Sequence, residues 1–316
     1  MLKGKTIGAV VPAYNEEVLI GRVIETMPQF IDRIVVIDDC SIDRTADIVR
    51  SYASQEPDRV VLLRHDRNQG VGGAIATGYK WCRDQNLDVT VVMAGDAQMD
   101  PEDLPALLEP VLNGEVDYCK GNRLISGEAW AQIPRVRYLG NAALSMLTKI
   151  ASGYWHIADS QTGYTAINRR ALHTIDWDHM YKRFGQPNDL LVRLNVYNFR
   201  VRDVEIKPVY GVGEKSGVKP FRMIPRLSRL LLKLFLWRMK EKYIIRDFHP
   251  LVLFYALSFF LFLISIPLLT RLLWLWWSTG NIPPMNALAL LFVGVVGVQT
   301  LFFAMWFDME YNRHLR

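Results

Sequence analysis

The chain has 316 residues, of which 50% are hydrophobic and 22% charged, and its formal net charge is +5. This length allows one large folded domain together with a hairpin of membrane helices. The three cysteines, Cys40, Cys82 and Cys119, lie far apart, with no CxxC pair and no histidine at metal-ligand spacing. We therefore expect reduced, structural thiols and exclude a zinc site built on them.

Strands and helices alternate through the first 120 residues. Strands are predicted at Thr6–Val11, Arg33–Asp38, Arg59–Arg64, Asp88–Met93 and Val116–Lys120. Helices are predicted at Glu16–Met27, Asp43–Ala53, Gly72–Asp84 and Pro101–Leu112. The strands are continuously apolar, which indicates a sheet buried on both faces and hence mostly parallel. Regular βαβ units predict a doubly wound, Rossmann-like α/β fold that binds its ligands at the carboxyl ends of the strands.

Beyond residue 126 the pattern is less regular and then becomes basic. Helices are predicted near Val136–Ile150 and Asn188–Tyr197, and a strand at Arg202–Lys207. Between residues 222 and 246 there are eight basic residues and one acid. Four of the basic residues recur at helical spacing and form one stripe with leucines between them: Arg222, Arg226, Arg229 and Lys233. We expect this amphipathic helix to lie on an anionic membrane surface rather than on nucleic acid, because an apolar span follows it directly.

Two uncharged apolar runs, Leu251–Thr270 and Met285–Phe307, follow the basic helix. At about 1.5 Å per helical residue each can cross roughly 30 Å of hydrocarbon. Basic residues flank the hairpin at both ends and are absent from its connector, which predicts a cytoplasmic catalytic domain and C-terminus. The predicted organisation is a catalytic domain at 1–215, a juxtamembrane segment at 216–248 and a membrane hairpin at 249–316. Gly294 and Gly297 provide close-approach positions through which copies of the chain could associate.

Polar or glycine-rich loops follow four successive predicted strands. They read Pro12-Ala-Tyr-Asn-Glu-Glu17, Asp38-Asp-Cys-Ser-Ile-Asp43, Asn68-Gln-Gly-Val-Gly-Gly73 and Ala94-Gly-Asp-Ala-Gln98. Each loop alone has an ordinary structural explanation, such as a helix cap at Asp43 or a simple turn at the glycines. Their common position on one rim of the sheet predicts a nucleotide site.

Two common kinds of nucleotide site are excluded. A nicotinamide site requires G-x-G-x-x-G directly after the first strand, where this chain has Pro12 and Tyr14. A Walker loop is also absent from the sequence.

These motifs, together with Gly121-Asn-Arg123 and Asp159-Ser-Gln-Thr-Gly-Tyr164, resemble the family 2 glycosyltransferases of GT-A fold. The closest resemblance is to the polyprenyl-phosphate glycosyltransferases, of the dolichyl-phosphate mannose or glucose synthase type. It covers roughly residues 6–220. It implies that a nucleotide sugar is held by the following residues: Pro12, Ala13, Tyr14, Glu16, Asp38, Asp39, Asn68, Gly70, Gly72 and Asp96. It also implies that Asp96 and Gln98 bind Mg²⁺ or Mn²⁺, for which carboxylate and amide oxygens are suitable ligands.

The expected acceptor is a polyprenyl or dolichyl phosphate. Its second pKa of roughly 6 leaves it largely ionised at neutral pH, so it needs cationic positioning rather than a general base. The candidate cations are Arg123, Arg137, Lys215 and Lys219. The candidate catalytic residues are Asp96, Arg123, Arg137 and Asp189.

The chain departs from the family pattern in the diphosphate region. Many relatives carry Asp-x-Asp at the metal turn, but the first position here is Ala94, and a lysine often found in the glycine-rich loop is replaced by Val71. The Gln-x-x-Arg-Trp motif of processive synthases is absent, which favours transfer of a single sugar.

The sequence leaves two other functions open. In one, the acceptor is a hydroxyl of a glycerolipid or sphingolipid, which requires a general base, and Asp189 is the candidate. In the other, the chain is a catalytically silent membrane module that only binds nucleotide sugars, a reading supported by Ala94 and Val71.

Overall fold

The computed structural model describes residues 1–124, 135–207, 209 and 220–316. The chain divides into two compact units, Met1–Phe235 with Leu315–Arg316, and Leu236–His314. The first unit contains the predicted rim. The second contains both apolar runs.

The first unit is built on a seven-stranded sheet. Its strands are β1 (Ile7–Ala13), β2 (Arg33–Asp38), β3 (Val60–Arg64), β4 (Val89–Val92), β5 (Tyr118–Asn122), β6 (Thr165–Asn168) and β7 (Val201–Glu205). The strand order is β3-β2-β1-β4-β6-β5-β7. Only the pairs that β6 makes with β4 and β5 are antiparallel within the described sheet, so the prediction of a mostly parallel α/β fold is confirmed.

Seven helices described in this unit precede the basic segment. They are α1 (Ile20–Glu25), α2 (Thr45–Gln55), α3 (Val71–Asp84), α4 (Leu104–Leu112), α5 (Arg135–Ser152), α6 (Arg169–Thr174) and α7 (Gln186–Val196). Alternate strand residues point to opposite faces of the sheet, as the strand period requires. Val11 and Val36 belong to one buried cluster, while Val10 and Val35 belong to the other. The apolar strands therefore do lie between two layers.

The sequence misplaced several element boundaries. The helix predicted from Glu16 begins only at Ile20. The backbone N–H groups of Glu16 and Glu17 donate to Thr45 Oγ1 at the start of α2 and to Asp43 Oδ2 in the loop before it. The strand predicted at Val116–Lys120 lies two residues later, where its pairing partner β7 runs beside it. The short elements β6 and α6 were not predicted, because four and six residues are too few to show a clear period.

The basic segment is helix α8 (Pro220–Lys240), and one turn of π-helix follows it at Glu241–Arg246. Within the described side chains of α8, Arg226, Arg229 and Lys233 are exposed. Leu227, Leu231 and Leu234 are buried, so the predicted amphipathic pattern is confirmed. The side chain of Arg222 lies outside the described part of the structure.

The second unit contains two long apolar helices, α9 (Leu251–Thr279) and α10 (Pro284–Tyr311). Both are longer than the predicted runs and are candidate membrane spans by length and composition, with only 17% of the most apolar window of each buried. Gly297 is used inside the hairpin, where its carbonyl oxygen accepts a hydrogen bond from Ser258 Oγ at 2.9 Å. An added Cβ at Gly294 would meet nothing within 4 Å.

Candidate active site

Three turns at the carboxyl ends of β1, β2 and β4 contain non-glycine residues in the left-handed region. These are Asn15 (φ 56°), Cys40 (φ 64°) and Ala97 (φ 56°). Left-handed backbone is costly for residues with a Cβ and is often found at functional sites. The unusual backbone of this rim therefore coincides with the loops that the sequence singled out.

The loop after β1 is fastened to the loop after β2 by reciprocal hydrogen bonds. The N–H of Asn15 donates to Ser41 Oγ at 2.9 Å, and the N–H of Ile42 donates back to Asn15 Oδ1 at 3.0 Å. The N–H of Glu16 donates to Thr45 Oγ1 at 2.8 Å. Tyr14, at the start of this loop, is 48% exposed on the rim. A flat aromatic side chain on a fixed loop is suited to packing against a nucleobase.

The two predicted aspartates at the end of β2 are buried and organise neighbouring loops. Asp39 accepts hydrogen bonds from the N–H groups of Gln69 (2.8 Å) and Gly70 (2.7 Å) and from His65 Nδ1 (2.7 Å). Asp38 accepts from the N–H of Ser41 and is paired with Arg64 Nε at 3.0 Å. Their direct contact with a nucleotide stays a prediction, whereas their support of the rim loops is seen in the structure.

The glycine-rich segment approaches another part of the protein rather than open space. A Cβ at Gly70 would lie 2.5 Å from the carbonyl oxygen of Lys182, and one at Gly72 would lie 2.3 Å from that of Tyr181. The N–H of Gly73 donates to the carbonyl oxygen of Lys182 at 3.2 Å. The absence of side chains here is therefore explained by close backbone approach within the protein. Asn68 lies beside this contact, and its Nδ2 donates to the carbonyl oxygen of Asp39 at 3.2 Å.

The fourth rim turn contains the candidate metal ligands Asp96 and Gln98. The N–H of Gln98 donates to Asp96 Oδ1 at 3.1 Å, which fixes the turn. Burial, together with the nearby carboxylates of Asp96 and Asp43, raises the pKa of Glu16 to about 7. The turn is thus a place of negative potential with oxygen donors, and its residues fit a hard divalent cation.

The protein's own donor set at this turn is small. In residues 1–124, 135–207, 209 and 220–316, no three His, Cys, Asp or Glu side chains are grouped so as to hold a metal ion. Asp100 accepts a hydrogen bond from the N–H of Glu102 at 2.9 Å and caps the following turn. A cation at Asp96 would therefore require oxygen ligands from the substrate, such as those of a diphosphate.

Arg123, the predicted phosphate ligand after β5, is paired with a buried acid. Its Nε lies 2.8 Å from Asp159 Oδ2, and its Nη2 donates to Asp159 Oδ1 at 3.3 Å. Although burial raises the pKa of Asp159, the Arg123 guanidinium, the charge of Lys120 and the N–H of Gln161 together hold that pKa below its usual value. Arg137 lies in α5 with its side chain outside the described structure, and Lys215 and Lys219 lie outside the described residues altogether.

Asp189, the candidate general base, is buried in the first turns of α7. Its Oδ2 accepts from the N–H of Tyr181 at 2.7 Å, and its Oδ1 accepts from Arg193 Nε at 2.9 Å. Burial is the largest influence on the pKa of Asp189 and raises it, in spite of Arg193. The geometry favours a role in fixing the segment that packs on Gly72 over proton abstraction from a substrate.

Another acid, Asp203, is partly buried and holds the backbone next to Asp159. Its Oδ2 accepts from the N–H of Ala158 at 2.6 Å and from Asn122 Nδ2 at 2.8 Å. Its Oδ1 is buried and has no hydrogen-bond partner within the described structure. Burial raises the pKa of Asp203 from 3.8 to about 6.

The raised pKa of Asp203 predicts a specific pH dependence of stability. Between pH 4 and 6 the folded chain binds more protons at this site than the unfolded chain, so the free energy of unfolding falls as pH rises, by about 2 kcal/mol. Asp203→Asn keeps the acceptor and should flatten this slope in thermal unfolding of the detergent-solubilised chain, followed by tryptophan fluorescence. The exposed Asp58→Asn is the control. If the free energy of unfolding of Asp203→Asn depends on pH as in the wild-type chain, the pH dependence belongs to another group.

Sequence reasoning missed His65, the Tyr181–Lys182 contact and a polar network around Gln161 and Asn188. Each joins segments far apart in the chain, so no local spacing could have revealed it.

Comparison with known proteins places this geometry in a family. Residues 9–176 match the family model described as "Glycosyl transferase family 2". The chain is 28% identical over 218 residues to the UDP-N-acetylglucosamine–dolichyl-phosphate N-acetylglucosaminyltransferase of Methanococcus voltae, covering 65% of this chain and 86% of that protein. It is 31% identical over 202 residues to the undecaprenyl-phosphate mannosyltransferase of Micrococcus luteus, covering 62% and 81%.

A solved structure shows the same fold. Glucosyl-3-phosphoglycerate synthase from Mycobacterium tuberculosis, in complex with Mn²⁺, UDP and phosphoglyceric acid, superposes with a TM-score of 0.53 at 20% identity. The match covers 74% of this chain and 78% of that one. With the family model spanning more than half of the sequence, the chain belongs to glycosyl transferase family 2 and is a glycosyltransferase of GT-A fold.

Proposed function

We propose that this protein transfers one sugar from a UDP- or GDP-linked donor to a polyprenyl or dolichyl phosphate, with inversion, at the cytoplasmic face of a membrane. The observation that carries the proposal is the presence, on one chain, of a family 2 rim, a basic amphipathic helix and two candidate membrane spans. Such a chain can bring a water-soluble donor to an acceptor that is anchored in lipid. The named relatives that use dolichyl and undecaprenyl phosphates support this acceptor class.

In this proposal the rim holds the donor. Tyr14 packs against the base, and the loops supported by Asp38 and Asp39 fix its position. Asp96 and Gln98 hold Mg²⁺ or Mn²⁺, which when bound neutralises the diphosphate as it departs. The neighbour solved with Mn²⁺ supports a divalent ion without deciding between the two metals.

The acceptor phosphate oxygen attacks the anomeric carbon as the bond from that carbon to the diphosphate breaks, so the product has the opposite anomeric configuration. The acceptor is ionised near neutral pH, so no side chain has to remove a proton. This agrees with the buried, doubly hydrogen-bonded state of Asp189. We propose that four cations draw the acceptor phosphate towards the donor: Arg123, Arg137, Lys215 and Lys219. Of these, Arg123 is held by Asp159.

Orientation is proposed from charge. Basic residues flank the hairpin on the side of the catalytic domain and at the C-terminus, and the connector between α9 and α10 has none. Positively charged flanks are typical of the cytoplasmic side of membrane proteins.

The test is a transfer assay with the full chain in detergent, Mn²⁺, polyprenyl phosphate and a panel of labelled UDP- and GDP-sugars. We expect label from one donor to enter the organic phase as a glycolipid that mild acid cleaves. Transfer to glycerolipid or sphingolipid but not to polyprenyl phosphate would contradict the proposed acceptor. Donor binding without transfer to any lipid would favour a silent binding module.

A further inference from the structure

The segment Asp159–Tyr164, which leads into β6, packs against the turn that contains the candidate metal ligands. The hydroxyl of Tyr164 donates to the carbonyl oxygen of Asp100 at 2.8 Å. Gly163 lies beside Met99, whose Cε would be 3.6 Å from an added Cβ. A sugar attached to a diphosphate at this turn would therefore lie close to the segment.

The side-chain amide of Gln161, in this segment, is hydrogen-bonded through its nitrogen. Gln161 Nε2 donates to Ser160 Oγ at 2.7 Å and to Asn188 Oδ1 at 3.0 Å. Gln161 is only partly buried, and both side-chain hydrogen bonds that it makes with described residues use Nε2, not the amide oxygen. The amide is thus held by its nitrogen and keeps its oxygen as an acceptor for a ligand, as a recognition group should.

Asn188, which holds Gln161, is fully buried. Its Oδ1 also accepts from Thr148 Oγ1 at 3.0 Å, but its Nδ2 has no hydrogen-bond partner among the described residues. A buried donor without a partner lowers stability, and an apolar side chain would avoid that cost. An amide at this position is explained by its hold on Gln161.

Gly163 lies in the same segment and has room beside its backbone. It does not adopt a left-handed backbone, and an added Cβ would make only an ordinary contact with Met99. The fold therefore does not require glycine here. This position therefore leaves room for a ligand beside the backbone.

Resting on the proposed function, we propose that Gln161 hydrogen-bonds the donor sugar and determines which sugar is accepted, with Asn188 as its positioning residue. The ligand group would be a neutral hydroxyl or amide of the sugar, since the recognising group is itself an uncharged amide. A site that hydrogen-bonds such a group discriminates against sugars that lack it.

The test compares nucleotide with nucleotide sugar. Dissociation constants are measured by calorimetry for UDP and UDP-N-acetylglucosamine, and for GDP and GDP-mannose, with the full chain, Mn²⁺ and no acceptor. Gln161→Ala should weaken binding of the nucleotide sugar about 5- to 10-fold, which is the effect of one hydrogen bond. It should leave the dissociation constant of the free nucleotide unchanged. Asn188→Ala should likewise weaken binding of the nucleotide sugar relative to binding of the free nucleotide. A purely structural role of Asn188 would not change this ratio of the two affinities. The exposed Gln55→Ala is the matched control.

Gly163→Ala, which the fold accommodates, should also weaken only the nucleotide sugar. The inference would be overturned if Gln161→Ala weakened binding of the nucleotide and of the nucleotide sugar equally, or changed neither. If neither UDP nor GDP binds the wild-type chain, the proposed function itself fails, and that result is distinct from either of these.

Discussion

Asp96→Asn is expected to lower sugar transfer at least about 100-fold, because it removes the single carboxylate of the turn Ala94–Gln98. Gln98 and an asparagine would leave only neutral oxygens facing the departing diphosphate. Glu16, a neighbouring acid, has its pKa raised to about 7 in the wild-type protein, mainly by burial, which Asp96→Asn leaves in place. We therefore expect that no other carboxylate takes the place of Asp96 and that the metal site, already weak, becomes ineffective.

The measurement is the initial rate of glycolipid formation over a range of Mn²⁺ concentrations. Asp100→Asn is the matched control, because asparagine can keep the hydrogen bond to the N–H of Glu102 and should retain both cap and activity. A wild-type rate in Asp96→Asn, or a rate independent of metal in the wild-type protein, would contradict the assignment.

The second large effect is expected in the second unit, at a buried ion pair. Arg238 and Asp308 are both fully buried, and the guanidinium binds both carboxylate oxygens, at 2.8 and 2.9 Å. Tyr243 OH also donates to Asp308 at 2.6 Å. Asp308→Ala leaves a buried guanidinium without its anion and should lower the free energy of unfolding by about 3 to 5 kcal/mol.

This effect is measured by thermal unfolding of the full chain in detergent. Glu310→Ala is the control, since its pair with Arg313 is exposed and should contribute little. Arg238→Met combined with Asp308→Leu should recover part of the stability, because neither the guanidinium nor the carboxylate is then left buried without its partner. If Asp308→Ala unfolds with the wild-type midpoint, the pair does not stabilise this unit.

A neighbouring contact extends the same cluster. Lys242 Nζ donates to Asn312 Oδ1 at 2.7 Å, and Asn312 Nδ2 donates to Tyr243 OH at 2.7 Å. These residues join the π-helical turn to the end of α10. Polar side chains beside an apolar hairpin are expected to satisfy one another because lipid offers them no partners.

The sequence by itself determined the fold class, the family and the position of the rim. Continuous apolar strands, helical periodicity and long uncharged runs are local properties that short-range physics converts into buried strands, amphipathic α8 and the two candidate spans. The rim motifs could be located because the carboxyl ends of parallel strands meet at one edge of the sheet.

Only the tertiary structure decided which groups those motif residues contact. Asp39 is directed to the loop around Gly70, Asp189 to Tyr181, and Gly72 to the carbonyl oxygen of Tyr181. The antiparallel insertion of β6 and the Arg238–Asp308 pair were equally invisible. Most of these contacts join residues separated by tens of positions, and Asp189 and Tyr181 are eight apart across a turn. Hydrogen bonds of this kind depend on how the chain returns to itself rather than on any repeating local pattern.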